Sequence, residues 1–250
     1  MAKLVELSSD IHKHLKVNPQ SVIHFAASQH LLNTRVTEVA QTICNFPVFF
    51  NKNLHTGYWN LSALASFQMG NSLFVENNQW QAVYQPSCMQ SYPFYLMNSS
   101  HGENQYTIGI DQSNQAFSIA SGEGLFESNG KATLFLSRIK SMLESDIQND
   151  IQTFQFGQKL QEMGLLKSIN IIVQYLDKSP QTLTGLHTIN EDKLHTLTDS
   201  QLGELNQLGY LPPIHGILLS ISQLNGLVQK NNQQHITQQI QTVKLELTKS

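Results

Sequence analysis

The sequence predicts an α+β protein, with a β-rich N-terminal half built on antiparallel pairing and a mainly helical C-terminal half that carries one further strand pair. Three observations carry this expectation. Short extended runs punctuated by Gly, Asn and Pro fill the first half, and from Leu134 the apolar period lengthens to three and four residues. Two β-rich runs, Ile169–Leu176 and Leu183–Ile189, then flank a Lys178-Ser179-Pro180 turn.

The first half reads as strands separated by turns. Ser21–Ser28 is a short apolar run, and Arg35–Cys44 has helical spacing through Val36, Val39, Ala40 and Ile43. Pro47 halts that helix, because its ring removes a donor and restricts Phe46. Val48, Phe49 and Phe50 follow as a buried strand. Further extended segments are Tyr58–Ser66, Leu73–Val75, Gln79–Gln85 and Tyr92–Met97, separated by Gly70-Asn71, Asn77-Asn78 and Pro86. The strongest hairpin signal is Tyr106–Ile110 with Ala116–Ala120, joined by a polar Asp-Gln-Ser-Asn-Gln link.

In the second half, Ile139, Leu143, Ile147, Ile151 and Phe154 recur at helical steps, predicting one long amphipathic helix or two broken near Asn149-Asp150. Gly164 is a natural C-terminal stop. After the strand pair, Asp199 can cap a helix ended by Gly209, and Pro213 can begin another carrying Ile214, Ile217, Leu218, Ile221 and Leu224. Residues 1–228 therefore form a single α+β domain, with the change of period near 131 the point at which it would subdivide. Residues 229–250 form a polar, Gln-rich tail. Its stripe of Ile236, Ile240, Val243 and Leu247 suits an amphipathic docking helix, and a frayed tail helical only in part is the other reading.

Composition narrows the function classes. Among 250 residues, 40% are hydrophobic and only 13% charged, and 15 basic against 18 acidic residues give a net charge of -3. No strong positive field exists to recruit nucleic acid or an anionic membrane. Cys44 and Cys88 are too few for a disulfide scaffold and too isolated for a zinc knuckle, so both read as reduced, buried thiols. The first residues lack the apolar core and cleavage site of a secretory leader, and no segment has the apolar length of a transmembrane span, which points to the cytoplasm.

Ten histidines invite a metal or acid-base hypothesis. His12 and His14, two apart, would share one face of a strand, with Asp10 the only nearby acid. His101 and Glu103 lie in a polar loop. His215 sits in an otherwise apolar helix, where buried and hydrogen-bonded is its better reading and a ligand-facing role the other. Gly122-Glu123-Gly124 reads as a turn, because no Lys-Ser/Thr follows to make a phosphate loop. No nucleophile elbow, zinc-protease motif or paired catalytic cysteine is present, and neither a metal site nor a cofactor is predicted. Missing motifs weigh against an enzyme without deciding the matter, since paired carboxylates leave no local signature. Trp80, Tyr84, Tyr92 and Phe94, bracketed by Pro86 and Pro93, are the candidate binding aromatics, a platform for a sugar ring or an extended peptide. The plainer reading is that these rings fill the core.

Dispersed segments in a fixed order resemble the SapC family of bacterial surface-layer-associated proteins. His12-Lys13-His14-Leu15-Lys16-Val17 is similar to that family's opening His-Arg-Asp-Leu-Arg-Val element, and Glu38–Phe50 to its helix followed by a Tyr-Pro-Ile-Val-Phe strand. Asn71–Val75, Trp80, Tyr84, Pro86 and Tyr92-Pro93-Phe94 resemble its central stretch, with Gln90 and Ser91 where members carry two arginines. Gly124-Leu125-Phe126 with Gly130 and Thr133, then Gly185-Leu186, Leu194, Leu205, Gly209 and His215 through Ser220, resemble its later elements. The resemblance covers roughly Val5–Leu227. It implies association with a cell surface, while the lost arginines put any anionic contact they carried in doubt.

Two classes of function follow. The first is a non-catalytic binding or assembly protein whose ligand is a peptide or glycan and whose partner is a protein or glycan of the cell envelope, with Trp80, Tyr84, Tyr92, Phe94, His12 and His215 as the candidate ligand-binding residues. The alternative is a metal- or acid-base-dependent enzyme modifying a peptide or carbohydrate, resting on His12, His14, His101 and His215.

Overall fold

The computed structural model describes residues 4–54, 56–99 and 106–248. In chain order the elements begin with β1 (Leu4–Glu6), α1 (Ser9–His12), β2 (Lys16–Val17), α2 (Ser21–Ala27) and β3 (Leu31–Thr34). A 3-10 turn (Val36–Glu38) leads into α3 (Val39–Thr42), followed by β4 (Val48–Lys52), β5 (Trp59–Leu64), β6 (Val75–Glu76) and β7 (Gln79–Trp80). Next come α4 (Ser87–Gln90), β8 (Phe94–Asn98), β9 (Tyr106–Asp111), β10 (Phe117–Ser118) and β11 (Glu123–Gly124). The helical part holds α5 (Leu134–Glu162), the strands β12 (Leu166–Tyr175) and β13 (Gln181–Ile189), then α6 (Glu191–His195), α7 (Asp199–Gln207), α8 (Leu211–Ser220) and α9 (Gln223–Gln234), and ends with β14 (Ile240–Leu247). The α+β expectation holds, with antiparallel sheets concentrated early and helices late.

These elements make two compact units, each from two stretches of chain: residues 1–26 with 87–148, and residues 27–86 with 149–250. The first unit carries the antiparallel sheet β1-β9-β8 and the small sheet β10-β2-β11. Its core gathers Val17, Phe94, Ile110, Leu125, Leu136, Ile139 and Leu143. The second unit is built on the six-stranded sheet β14-β12-β13-β4-β5-β3. There Phe50, Leu61, Phe156, Leu160, Leu205, Ile214 and Ile217 pack into one core.

Helix α5 contributes its first half to one unit and its second half to the other, unbroken at Asn149-Asp150. That division explains a departure from the simple apolar stripe. Leu136, Ile139 and Leu143 are buried early, but Ile151 and Phe154 are 42% and 37% exposed, and burial passes to Phe156 and Leu160. The helix closes as expected at Gly164, whose φ of 67° lets the Leu165 N–H reach the Leu160 carbonyl at 2.8 Å while its own N–H bonds to Gln161. Both leucines lie in the second unit's core, which seals the turn.

Several local expectations are corrected. The run from Ser21 is helical through Ala27: the Asn18 carboxamide oxygen accepts from Gln20 N–H at 3.0 Å, Pro19 presets the backbone, and Ala26-Ala27 favour the helix. The runs Tyr106–Ile110 and Ala116–Ala120 do not pair with each other. β9 has β1 on one edge and β8 on the other, so β10 pairs with β2 instead. The link between them folds on itself, with Asp111 accepting from Ser113 and Asn114 from Ala116. Glu123–Gly124, expected as a turn, is a short strand against β2. The cap of α7 is Thr198, not Asp199: its hydroxyl accepts from Gln201 N–H and the Gln201 carboxamide accepts from Thr198 N–H. Cys44 is exposed and Cys88 half-buried, and neither forms a disulfide.

The tail, read as a docking helix or as a frayed segment helical only in part, ends in a strand. Residues 229–234 complete α9, and Ile240–Leu247 pairs antiparallel with β12 from Ile169↔Leu247 to Tyr175↔Ile240. Of the residues that suggested a helical stripe, Ile240 is buried at the strand's start, Val243 is half-buried, Leu247 is exposed and Ile236 lies before the strand, also exposed. The Asn232 carboxamide clamps the strand's start, accepting from the Ile240 N–H at 2.7 Å and donating to its carbonyl at 2.9 Å.

Candidate functional site

In the first unit, β8 and β9, with Leu7 just after β1, face the N-terminal half of α5 across an open cleft of about 200 Å³. Leu7, Leu96, Ile108, Phe126, Leu136 and Leu143 make its apolar lining. Tyr106, 53% exposed, and the ion pair between Lys140 and Glu144, 3.8 Å apart on successive turns of α5, stand at its edge. Helical spacing explains the grouping on one side: Leu136, Lys140 and Leu143 share one face of α5. The volume falls below the several hundred Å³ of a typical small-molecule pocket, so it suits a single apolar side chain. Its polar members, Tyr106, Thr107, Lys140 and Glu144, are a minority of the lining.

The second unit holds His187, a histidine whose pKa is lowered by burial. On β13, Ile169 pairs with Leu186 and Ile171 with Leu183, so Thr184 and Gly185 together oppose Asn170 in a bulge, with Gly185 at φ 79°. His187 follows that bulge and meets Trp59 edge to face, with ring centroids 4.7 Å apart. Burial pushes its pKa down, hydrogen bonding with the Gly185 backbone opposes that, and the Lys52 charge pushes it down further. Nδ1 is buried without a hydrogen-bond partner among the described residues. Trp59 itself donates to the Gln161 side chain and lies 5.4 Å from Lys52 Nζ. His187 thus sits against the Trp59 ring, with the nearby Lys52 charge disfavouring its protonated form.

The residues singled out from the sequence fall in different places. Trp80 and Tyr84 belong to the second unit, where the Trp80 ring stacks 6.0 Å from Phe46 and its N–H donates to the Tyr84 carbonyl at 3.0 Å. The Tyr84 hydroxyl donates to Glu38, whose other carboxylate oxygen accepts from Arg35 N–H, and Arg35 Nε in turn meets Asp150 at 2.6 Å. Tyr92 and Phe94 belong to the first unit. Tyr92 stacks on Phe25 at 4.2 Å and hydrogen-bonds with Asn114, while Phe94 is 1% exposed in the core. Trp80 with Tyr84, and Tyr92 with Phe94, are thus two separate pairs.

Among the histidines, His12 is buried at the end of α1, not on a strand beside His14. Its Nδ1 accepts from the Ser8 N–H at 3.1 Å, and its Nε2 lies against the Gln112 side-chain amide. Both nitrogens are engaged. His14 is exposed. His215 is also exposed, correcting the expectation of burial, because Ile214, Gly216 and Ile217 take the buried positions of α8. The buried polar group of that helix is Ser220. His101 lies outside the described residues. Among the described residues no group of three or more His, Cys, Asp or Glu side chains is placed to hold a metal ion, and no helix is long and apolar enough to cross a membrane.

The cleft and the Trp59–His187 contact were invisible in sequence, since each joins residues far apart in the chain. The stripe of α5 through Ile139 and Leu143 was the available signal for the former, and it left open what faced it.

A two-unit α+β chain with an apolar cleft in its first unit defines a class by fold more than by chemistry. The SapC family model matches residues 7–227, and the chain belongs to the SapC family. No curated protein and no solved structure matches it.

Proposed function

We propose that this SapC-family chain acts by binding rather than by catalysis, and that its ligand is a peptide presenting one apolar side chain. The observation that carries the reading is the cleft between β9 and α5, with Leu7, Leu96, Ile108, Phe126, Leu136 and Leu143 lining a volume sized for such a side chain. Burying a Leu- or Phe-sized group there contributes about 1.5–3 kcal/mol, enough to anchor an extended segment whose backbone is held elsewhere. Lys140 and Glu144 at the edge can meet a flanking charge of either sign. A glycan fits less well, because it would bring many hydroxyls to a lining that is mostly apolar. The cell-surface context implied by the family makes an envelope protein the natural source of the peptide.

The test is titration of the isotope-labelled protein with capped tripeptides centred on Leu, Phe or Ser, and with soluble oligosaccharides. Methyl resonances of Leu96, Ile108 and Leu143 should shift with the Leu and Phe peptides and stay in place with Ser. Ala132→Trp, at an exposed lining position, should fill the cleft and abolish the shifts without unfolding the chain. Shifts with oligosaccharides alone, or none with any probe, would remove the reading.

A further inference from the structure

We propose that the outer edge of β14 is a self-association surface, on which a second copy of this chain adds its own β14 antiparallel and joins two six-stranded sheets into one. In the sheet order, β14 has β12 on one side and no strand on the other among the described residues. The edge is eight residues long, and from Gln241 to Leu247 only Val243 is less than exposed. It contains no proline to block a ladder. Leu247 is 63% exposed and Leu245 36%, and both line an open cleft of about 220 Å³ with Ile169, Leu218 and Ile221. Such an edge is a template for another strand.

The strand's own charges choose the occupant. In an antiparallel pair, directly opposed residues point the same way across the ladder, so a strand pairing with its own copy must centre on a residue and not between two. Centring on Lys244 sets lysine against lysine, and centring on Glu246 sets glutamate against glutamate, both unfavourable. Centring on Val243 leaves Lys244 opposite Thr242. Centring on Leu245 sets Lys244 opposite Glu246 of the second copy twice, Leu245 opposite Leu245, and Val243 opposite Leu247. That register alone pairs both charges and covers the exposed leucines. Lys244 and Glu246 are exposed and make no ion pair within the chain among the described residues.

The experiment measures the mass of the full chain in solution across a concentration series. The wild type should reach twice 28.2 kDa. Lys244→Glu and Glu246→Lys each place like charges opposite at both pairs, and should weaken the dimer roughly tenfold or more. An equimolar mixture of the two variants restores both pairs and should recover the dimer, as should the double variant K244E/E246K alone. Circular dichroism checks that these surface changes leave the fold intact. A wild type that stays at 28.2 kDa overturns the proposal. So does a dimer indifferent to both single variants, which would put the contact on another face, and so does failure of the mixture to recover it.

Discussion

The Ser220 hydroxyl accepts a hydrogen bond from the Val48 backbone N–H at 2.9 Å and donates to the Ile217 carbonyl at 2.7 Å, tying the last turn of α8 to the first residue of β4. Both residues are essentially inaccessible to solvent. β13 pairs with β4 only at Phe50 and Asn51, so no strand reaches the Val48 N–H from that side. A side chain takes the place of a ladder partner.

Ser220→Ala therefore leaves a buried donor unpaired, and should lower unfolding stability by about 1–3 kcal/mol in urea denaturation. A Ser220→Ala protein as stable as the wild type would mean that the Val48 N–H finds another acceptor.

Gly157 lets α5 approach Trp59. A Cβ at that position would stand 2.8 Å from the Trp59 Cβ, an atom fixed to the backbone of β5. In an open helix Gly→Ala gains about 1 kcal/mol. Here Gly157→Ala should reverse that sign and destabilise by about 1–3 kcal/mol through overpacking, with a shift in tryptophan fluorescence as the ring moves.

Stability should fall with acid through His187. Its folded pKa lies below the usual 6.5, so above 6.5 the ring is neutral in folded and unfolded chains alike. As the pH drops through 6.5 the unfolded chain takes up the proton first, and stability is lost until the folded pKa is passed. His30, also held down by burial, acts in the same direction. His187→Gln should flatten part of this loss, read as the difference in denaturation midpoint between the variant and the wild type above and below pH 6.5. Equal slopes would mean that His187 titrates normally.

Asn232→Ala removes both hydrogen bonds that hold the start of β14. Amide exchange from Thr242 to Leu247 should quicken by about tenfold, corresponding to roughly 1–1.5 kcal/mol of local protection, while the core strands β4 and β5 exchange as before. Unchanged exchange would show that pairing with β12 is sufficient. Asn232→Asp, which retains the acceptor for the Ile240 N–H, should fall between the two.

What was legible in the sequence was local. The Gly164 stop, the β12–β13 pair and the buried Val48–Phe50 strand follow from signals within a few residues: backbone permissiveness, period and turn chemistry. The helix expected to begin at Pro213 and run through Leu224 starts at Leu211 and ends at Ser220, with Leu224 in α9. Trp80, Tyr84, Tyr92 and Phe94 were legible as aromatics with structural weight, but not as two pairs in two units, because the chain leaves the first unit after Ala26 and re-enters it at Ser87. Sequence alone likewise determined the family, since the dispersed Pro, Gly, Leu and aromatic positions that build turns and cores keep their order. Tertiary structure decided the partners. The strongest hairpin signal failed because β9 already had a neighbour on each edge, the tail became a strand because β12 offered it a ladder, and His215 was left exposed because α8 turned other residues inward. Each outcome is a competition among distant segments for the same edge or core face, and period or propensity read along one segment does not contain the competitor.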